Sequence, residues 1–97
     1  MILDAVLLDR TLTNDDIIIG MVRVFAVDAT DVWVTVRSNF VPCPETTRVL
    51  CETESLVGDF KLEMEIILRD ESLVPDDTVT VLRQLCGLWQ CQMLMAD

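Results

Sequence analysis

The chain has 97 residues, enough for one domain over 1–97 and too few for a second core. Seventeen acids against seven bases give a net charge of −10, which repels nucleic-acid backbones and anionic membranes, and no basic or aromatic-rich patch argues back. Yet 52% of the residues are hydrophobic, and the mean hydropathy is +0.43. A domain of this size buries roughly 60–65% of its unfolded surface, so the apolar excess predicts an oligomer or an obligate complex.

The opening "MILDAVLLDR" has no basic flank, and Asp4 and Asp9 break its apolar run, so no signal peptide is expected there. No run approaches the ~18–20 apolar residues of a membrane helix. Four cysteines without an export signal point to a reducing, cytoplasmic setting and free thiols. "ILDAVLLD" (2–9) reads as a first strand, followed by a polar turn. "IIIGMVRVFAV" (17–27) is dense in β-branched residues and apolar on both faces, which predicts a central strand with cover on each side. A helix from Asp15 to Val27 is the alternative, and the β-branched density argues against it.

"DATD" (28–31) is a turn signal. "VWVTVRSNF" (32–40) then alternates, with Val32, Val34 and Val36 on one side and Trp33, Thr35, Arg37 and Asn39 on the other. Together with 17–27 it predicts a hairpin. Two prolines make 41–47 a loop. "RVLCETE" (48–54) fits a short strand. "FKLEMEIILRD" (60–70) has period two, with Phe60, Leu62, Met64, Ile66 and Leu68 inward and Lys61, Glu63, Glu65 and Arg69 outward. Ile67 is the exception, and that outer face is expected to be solvated rather than a paired ladder.

The tail from Pro75 winds best as an amphipathic helix, with proline and acids at its start and a stripe of Thr78, Leu82, Leu85, Cys86, Trp89 and Met93. Two strands turning at Cys86–Gly87 are the alternative, because Thr-Val-Thr-Val favours a strand. The predicted fold is therefore α+β: four or five mainly antiparallel strands with one C-terminal helix, or, if the tail is β, an all-β sandwich. The run "VLLDR…GMVRVFAVDATDVWVTVRSNF" resembles the strand pattern of glycogen- and starch-binding β-sandwich modules. The sugar-stacking aromatics and Asn-rich segment of those modules are absent, so the resemblance implies a strand pattern and no sugar site.

Catalytic sets are hard to assemble from this composition. There is no histidine and no tyrosine. Cysteine or serine nucleophiles normally need a base, most often histidine, and no carboxylate pair stands out among seventeen acids. The chain is accordingly expected not to be an enzyme. Cys43 and Cys51 are separated by seven residues, and Cys86 and Cys91 by four, which is poor spacing for structural zinc. On a continuous helix Cys86 and Cys91 lie about 140° apart and do not converge; in the two-strand reading they face each other. Acidic pairs at turns are explained by turn and cap chemistry, and no twelve-residue calcium loop is present. No metal and no cofactor is expected.

Two functions remain. The first is a small acidic assembly subunit that oligomerises or docks into a larger complex, of the kind found in virions or secretion machines. Its protein interface would use Val22, Phe25, Trp33, Arg37, Trp89, Met93 and Met95. The second is an acidic inhibitor or immunity-type protein that blocks a basic enzyme or a nucleic-acid-binding site through Asp28, Asp31, Glu63 and Glu65. Both require protein partners, the second a basic one, and neither requires direct nucleic-acid or membrane contact.

Overall fold

Three seven-residue strands form the middle of a five-stranded sheet. They are β1 (Ile2–Leu8), β3 (Val49–Ser55) and β4 (Leu62–Leu68); β2 (Val32–Val36) and β5 (Met93–Met95) lie at the edges. The computed structural model describes residues 1–95. The strand order is β2-β3-β4-β1-β5, antiparallel throughout except for the parallel β2–β3 pair. Two helices, α1 (Asn14–Phe25) and α2 (Thr78–Trp89), complete an α+β fold whose sheet is open and not a sandwich. No helix among the described residues is long and apolar enough to cross a membrane.

The register puts Val6, Leu8, Val49, Cys51, Met64 and Ile66 on one face, and all six are fully buried. Ile17 and Met21 of α1 and Leu82, Leu85 and Trp89 of α2 close over them, so both helices lie on the same side. β4 follows its predicted alternation residue by residue, and β1 and β3 occupy the predicted segments. A bulge between Ile2 and Asp4 interrupts β1, and Leu3 joins the core.

The segment 17–27 is a helix, not the expected strand, and the hairpin predicted with β2 therefore does not exist. Its buried residues, Ile17, Gly20 and Met21, follow i, i+3, i+4 spacing rather than alternation. A capping box starts the helix: Asp16 N–H donates to Thr13 Oγ1 at 3.1 Å, and Thr13 N–H donates to the Asp16 carboxylate at 3.0 Å. Ala26, in the left-handed region at φ 55°, ends it. The propensity penalty of isoleucine and valine is a few tenths of a kcal/mol each, less than the burial of Ile17 and Met21 returns. The sugar-module strand pattern fails with this segment.

β2 pairs with β3 in parallel instead, which requires a crossover; residues 37–48 supply it without a helix. The preferred reading of the tail holds as far as Trp89. The Asp77 carboxylate caps α2, accepting from Val79 N–H at 3.1 Å and from the Thr80 hydroxyl at 2.8 Å. Gln90 then takes a left-handed conformation (φ 50°), and 93–95 pairs with β1 as a strand. Met93 thus belongs to the sheet and not to the helical stripe. The tail is a helix followed by a strand.

The helices meet at Gly20. The Trp89 indole lies across it, with Nε1 donating to the Asp16 carbonyl at 2.9 Å, and a β-carbon on Gly20 would fall 2.6 Å from Nε1. Gly87, in α2, faces open space. Gly20→Ala should therefore destabilise the fold by about 1–3 kcal/mol through overpacking, despite alanine's better helix propensity. Gly87→Ala should stabilise it by roughly 0.5–1 kcal/mol. Urea unfolding of the two variants checks the opposite signs.

Candidate functional site

The helices leave the second face of the sheet to other cover. Three cross-strand rows run over it. The first is Trp33, Leu50, Ile67 and Ile2; the second is Thr35, Glu52, Glu65 and Ala5; the third is Glu54, Glu63, Leu7 and Leu94. The crossover loop covers one corner. Trp33 Nε1 donates to the Val41 carbonyl at 3.0 Å, and Val41 N–H donates to Thr35 Oγ1 at 2.8 Å. Thr35 and Leu50 are buried beneath that corner. Beyond the loop no helix or strand covers the face among the described residues.

The half-buried middle is acidic. Glu52 stands directly opposite Glu65, and Glu54 directly opposite Glu63, so each cross-strand pair is a like-charge pair. Among the described residues one cation ion-pairs within this set. Arg37, just past the end of β2, hydrogen-bonds and ion-pairs with Glu63 and lies 3.9 Å from Glu65. Its hydrogen bond to Glu63, reinforced by the charges of Glu63, Glu65 and Glu52, holds the guanidinium above its ordinary range. The expectation of an unpaired solvated face is thus corrected at Arg37: the crossover aims this side chain across β3 onto β4. Toward β5 the acids give way to Ala5, Leu7 and the half-exposed Leu94.

The sequence-predicted residues do not assemble into one surface. Trp89 is 4% exposed and sits between the helices, so it is an internal anchor and not a surface contact. Val22, Phe25 and Met93 pack partly against the core, on the helix side or its border. Met95 is exposed on the edge strand, and Arg37 alone of this group reaches the acidic rows.

The acidic set also divides. Glu63 and Glu65 lie on the open face, whereas Asp28 and Asp31 flank the turn before β2 and act locally. Asp28 N–H donates to the Asp31 carboxylate at 3.0 Å, and Asp31 lies 3.6 Å from Arg48. Arg48 also binds Asp70 at 2.8 Å, tying the starts of β2 and β3 to the end of β4. Sequence reasoning missed Glu52 and Glu54. The signal is available, since "CETES" and "LEMEI" share the same Glu-x-Glu alternation.

The thiols are free. Cys51 is buried in β3, and burial pushes it up to about 12. Cys43 receives a hydrogen bond from Arg69 at 3.1 Å in the crossover loop. Cys86 and Cys91 do converge, contrary to the continuous-helix expectation, because the chain reverses at Gln90 and the Cys91 N–H donates to the Cys86 carbonyl at 3.2 Å. Among the described residues no group of three or more Cys, Asp or Glu side chains is arranged to hold a metal ion.

Two outcomes follow from the charges. Hydrogen bonds from Ser72, then from Arg48, hold the Asp70 carboxyl below its ordinary 3.8. The stability it contributes is full above that value and is lost as pH falls through the lower folded value. Asp70→Asn should therefore lower the melting temperature at pH 7 and flatten its decline in acid, as seen in thermal melts from pH 7 to 2. Glu54→Gln should do the reverse at neutral pH, stabilising the fold by about 0.2–1 kcal/mol by ending its opposition to Glu63. No protein-family model matches the chain, and no curated protein or solved structure matches it.

Proposed function

We propose that this chain is a non-catalytic interaction subunit that docks the open face of its sheet onto a basic protein surface. The observation that carries this reading is the pair of like-charge rungs, Glu52–Glu65 and Glu54–Glu63, with Arg37 paired to Glu63 and Glu65. Opposed glutamates destabilise a sheet. A fold that keeps them on a face its own helices do not use stores repulsion that cations from another molecule relieve. The apolar border at Ala5, Leu7 and Leu94 supplies area that becomes dry on contact, which an acidic patch by itself lacks.

The charge also favours a different chain over a second copy. Two such faces brought together would oppose their glutamates, and each chain carries a net −10. This joins the two expectations drawn from sequence. The chain acts through assembly into a complex, as a subunit would, and its partner is basic, as for an inhibitor or immunity-type protein.

The test uses an arginine-rich peptide as the basic probe, titrated into isotope-labelled protein at several salt concentrations. Amide shifts should concentrate at Ala5, Leu7, Glu52, Glu54, Glu63 and Glu65, and affinity should fall steeply with salt. Glu52→Gln with Glu54→Gln should weaken binding by tenfold or more, about 1.4 kcal/mol. Glu45→Gln with Asp59→Asn, an equal change of charge elsewhere, should have little effect. Shifts scattered over the whole surface, equal effects of the two double variants, or a stable homo-oligomer burying this face would overturn the reading.

A further inference from the structure

The turn that ends α2 brings two cysteines together. A helix closed by a left-handed residue commonly forms a bond from the N–H two places past its last residue back to a carbonyl of its last turn. The side chains at those two positions then touch, and they are usually apolar. Here the left-handed residue is Gln90, and the two positions are Cys91 and Cys86. The Cys91 N–H donates to the Cys86 carbonyl at 3.2 Å, so the two cysteines are neighbours across the turn.

Cys86 lines a groove of about 210 Å³ between α2 and β5, with Val79, Leu82, Arg83, Met93 and Met95. Cys91, half-buried like Cys86, is not among the residues lining that groove and packs against the core. The other two thiols are remote in the fold: Cys51 is fully buried in β3, and Cys43 sits in the crossover loop beside Arg69.

The geometry points to Cys86 and Cys91 as an oxidation site that closes an intramolecular disulfide by exchange with a low-molecular-weight disulfide entering that groove. Cys86, as thiolate, attacks one sulfur of the reagent; its S–S bond breaks, and the departing thiolate takes up the proton Cys86 released. Cys91 then loses its proton and attacks the Cys86 sulfur of the mixed disulfide, displacing the second small thiol. Two electrons and two protons pass from the cysteine pair to the reagent, and two molecules of small thiol leave.

The charged groups around the pair are Asp9 and Arg10, which follow β1, and Arg83 on α2. Burial, the neighbouring Cys86 and the Asp9 carboxylate outweigh Arg10 and push Cys91 up to about 11. Burial likewise raises Cys86. Both residues are therefore thiols at neutral pH, so exchange is slow there and accelerates with base. The bridge would pin the chain that leads directly into β5. This site is independent of the docking face, and its failure would leave that reading untouched.

Cleavage after Arg83 isolates residues 84–97, a peptide that holds Cys86 and Cys91 and neither of the other cysteines. The folded protein is treated with glutathione disulfide between pH 7 and 9, quenched in acid, digested and weighed. The 84–97 peptide should lose two hydrogens, about 2 Da, at a rate that rises roughly tenfold per pH unit. Dithiothreitol should restore the original mass. Cys91→Ser should stop at a stable glutathione adduct on Cys86, and Cys43→Ser should change nothing. An unmodified peptide at pH 9, adducts on both cysteines without a bridge, or disulfides to Cys43, Cys51 or a second chain would overturn the proposal.

Discussion

The contact between Trp89 and Gly20 governs the layout of the helical layer. The indole lies against a backbone without a β-carbon, and its N–H is satisfied by the Asp16 carbonyl. That carbonyl belongs to the first turn of α1, so the last residue of α2 is held against the beginning of α1. Arg10, leaving β1, donates to the Trp89 carbonyl and places a cation where the helix dipole is negative. Arg10 and the start of α1 are thereby both fixed on one residue more than seventy positions away. α2 ends there, the chain reverses at Gln90, and the next residues lie alongside β1.

From that termination follow both surfaces of functional interest. Reversal at Gln90 brings the Cys91 amide to the Cys86 carbonyl and delivers Leu94 to the outer side of the sheet, beside Leu7. Because α1 and α2 share one face, the opposite face has, among the described residues, the crossover loop at one corner and no helix over it. Its acidity is not a general property of a chain with seventeen acids. Asp16, Asp70 and Asp77 are engaged in caps, and Asp31 and Asp70 in the Arg48 cluster, whereas Glu52, Glu54, Glu63 and Glu65 converge by register.

A period-two pattern makes β4 legible in the sequence, because its burial alternates with the pleat, and β1 and β3 are legible as short apolar runs set off by turn residues. α1 is not legible by the same means. Its isoleucines and valines obey strand propensity, and what selects the helix is tertiary: a glycine at the right place for Trp89, and an apolar face needed over the sheet. The Thr13-x-x-Asp16 cap is a local sign, weaker than the usual pattern ending in Glu or Gln. Losing that strand also removes the hairpin, and the parallel partner of β2 lies across a crossover that no periodicity encodes. The tail is misread at one residue. Gln90 in a left-handed conformation is unusual for glutamine, and without it neither β5 nor the convergence of the thiols follows. For the acidic face, Glu63 and Glu65 are readable from β4 alone. Glu52 and Glu54 become partners only once β3 is laid against β4.

The sizes of the strands carry a consequence for how the sheet ends. The three seven-residue strands are interior, and the edges are the five residues of β2 and the three of β5. An open sheet offers unpaired amides and carbonyls along each edge, and long flat edges template addition of further strands. Here one edge is too short to hold a stranger's strand in register, and the other is closed after Val36 by a tight turn in which Asn39 N–H bonds back to the Val36 carbonyl. A chain this apolar is exposed to runaway strand-on-strand polymerisation, and the tapering of its sheet from centre to margin limits that fate while leaving a broad flat face open.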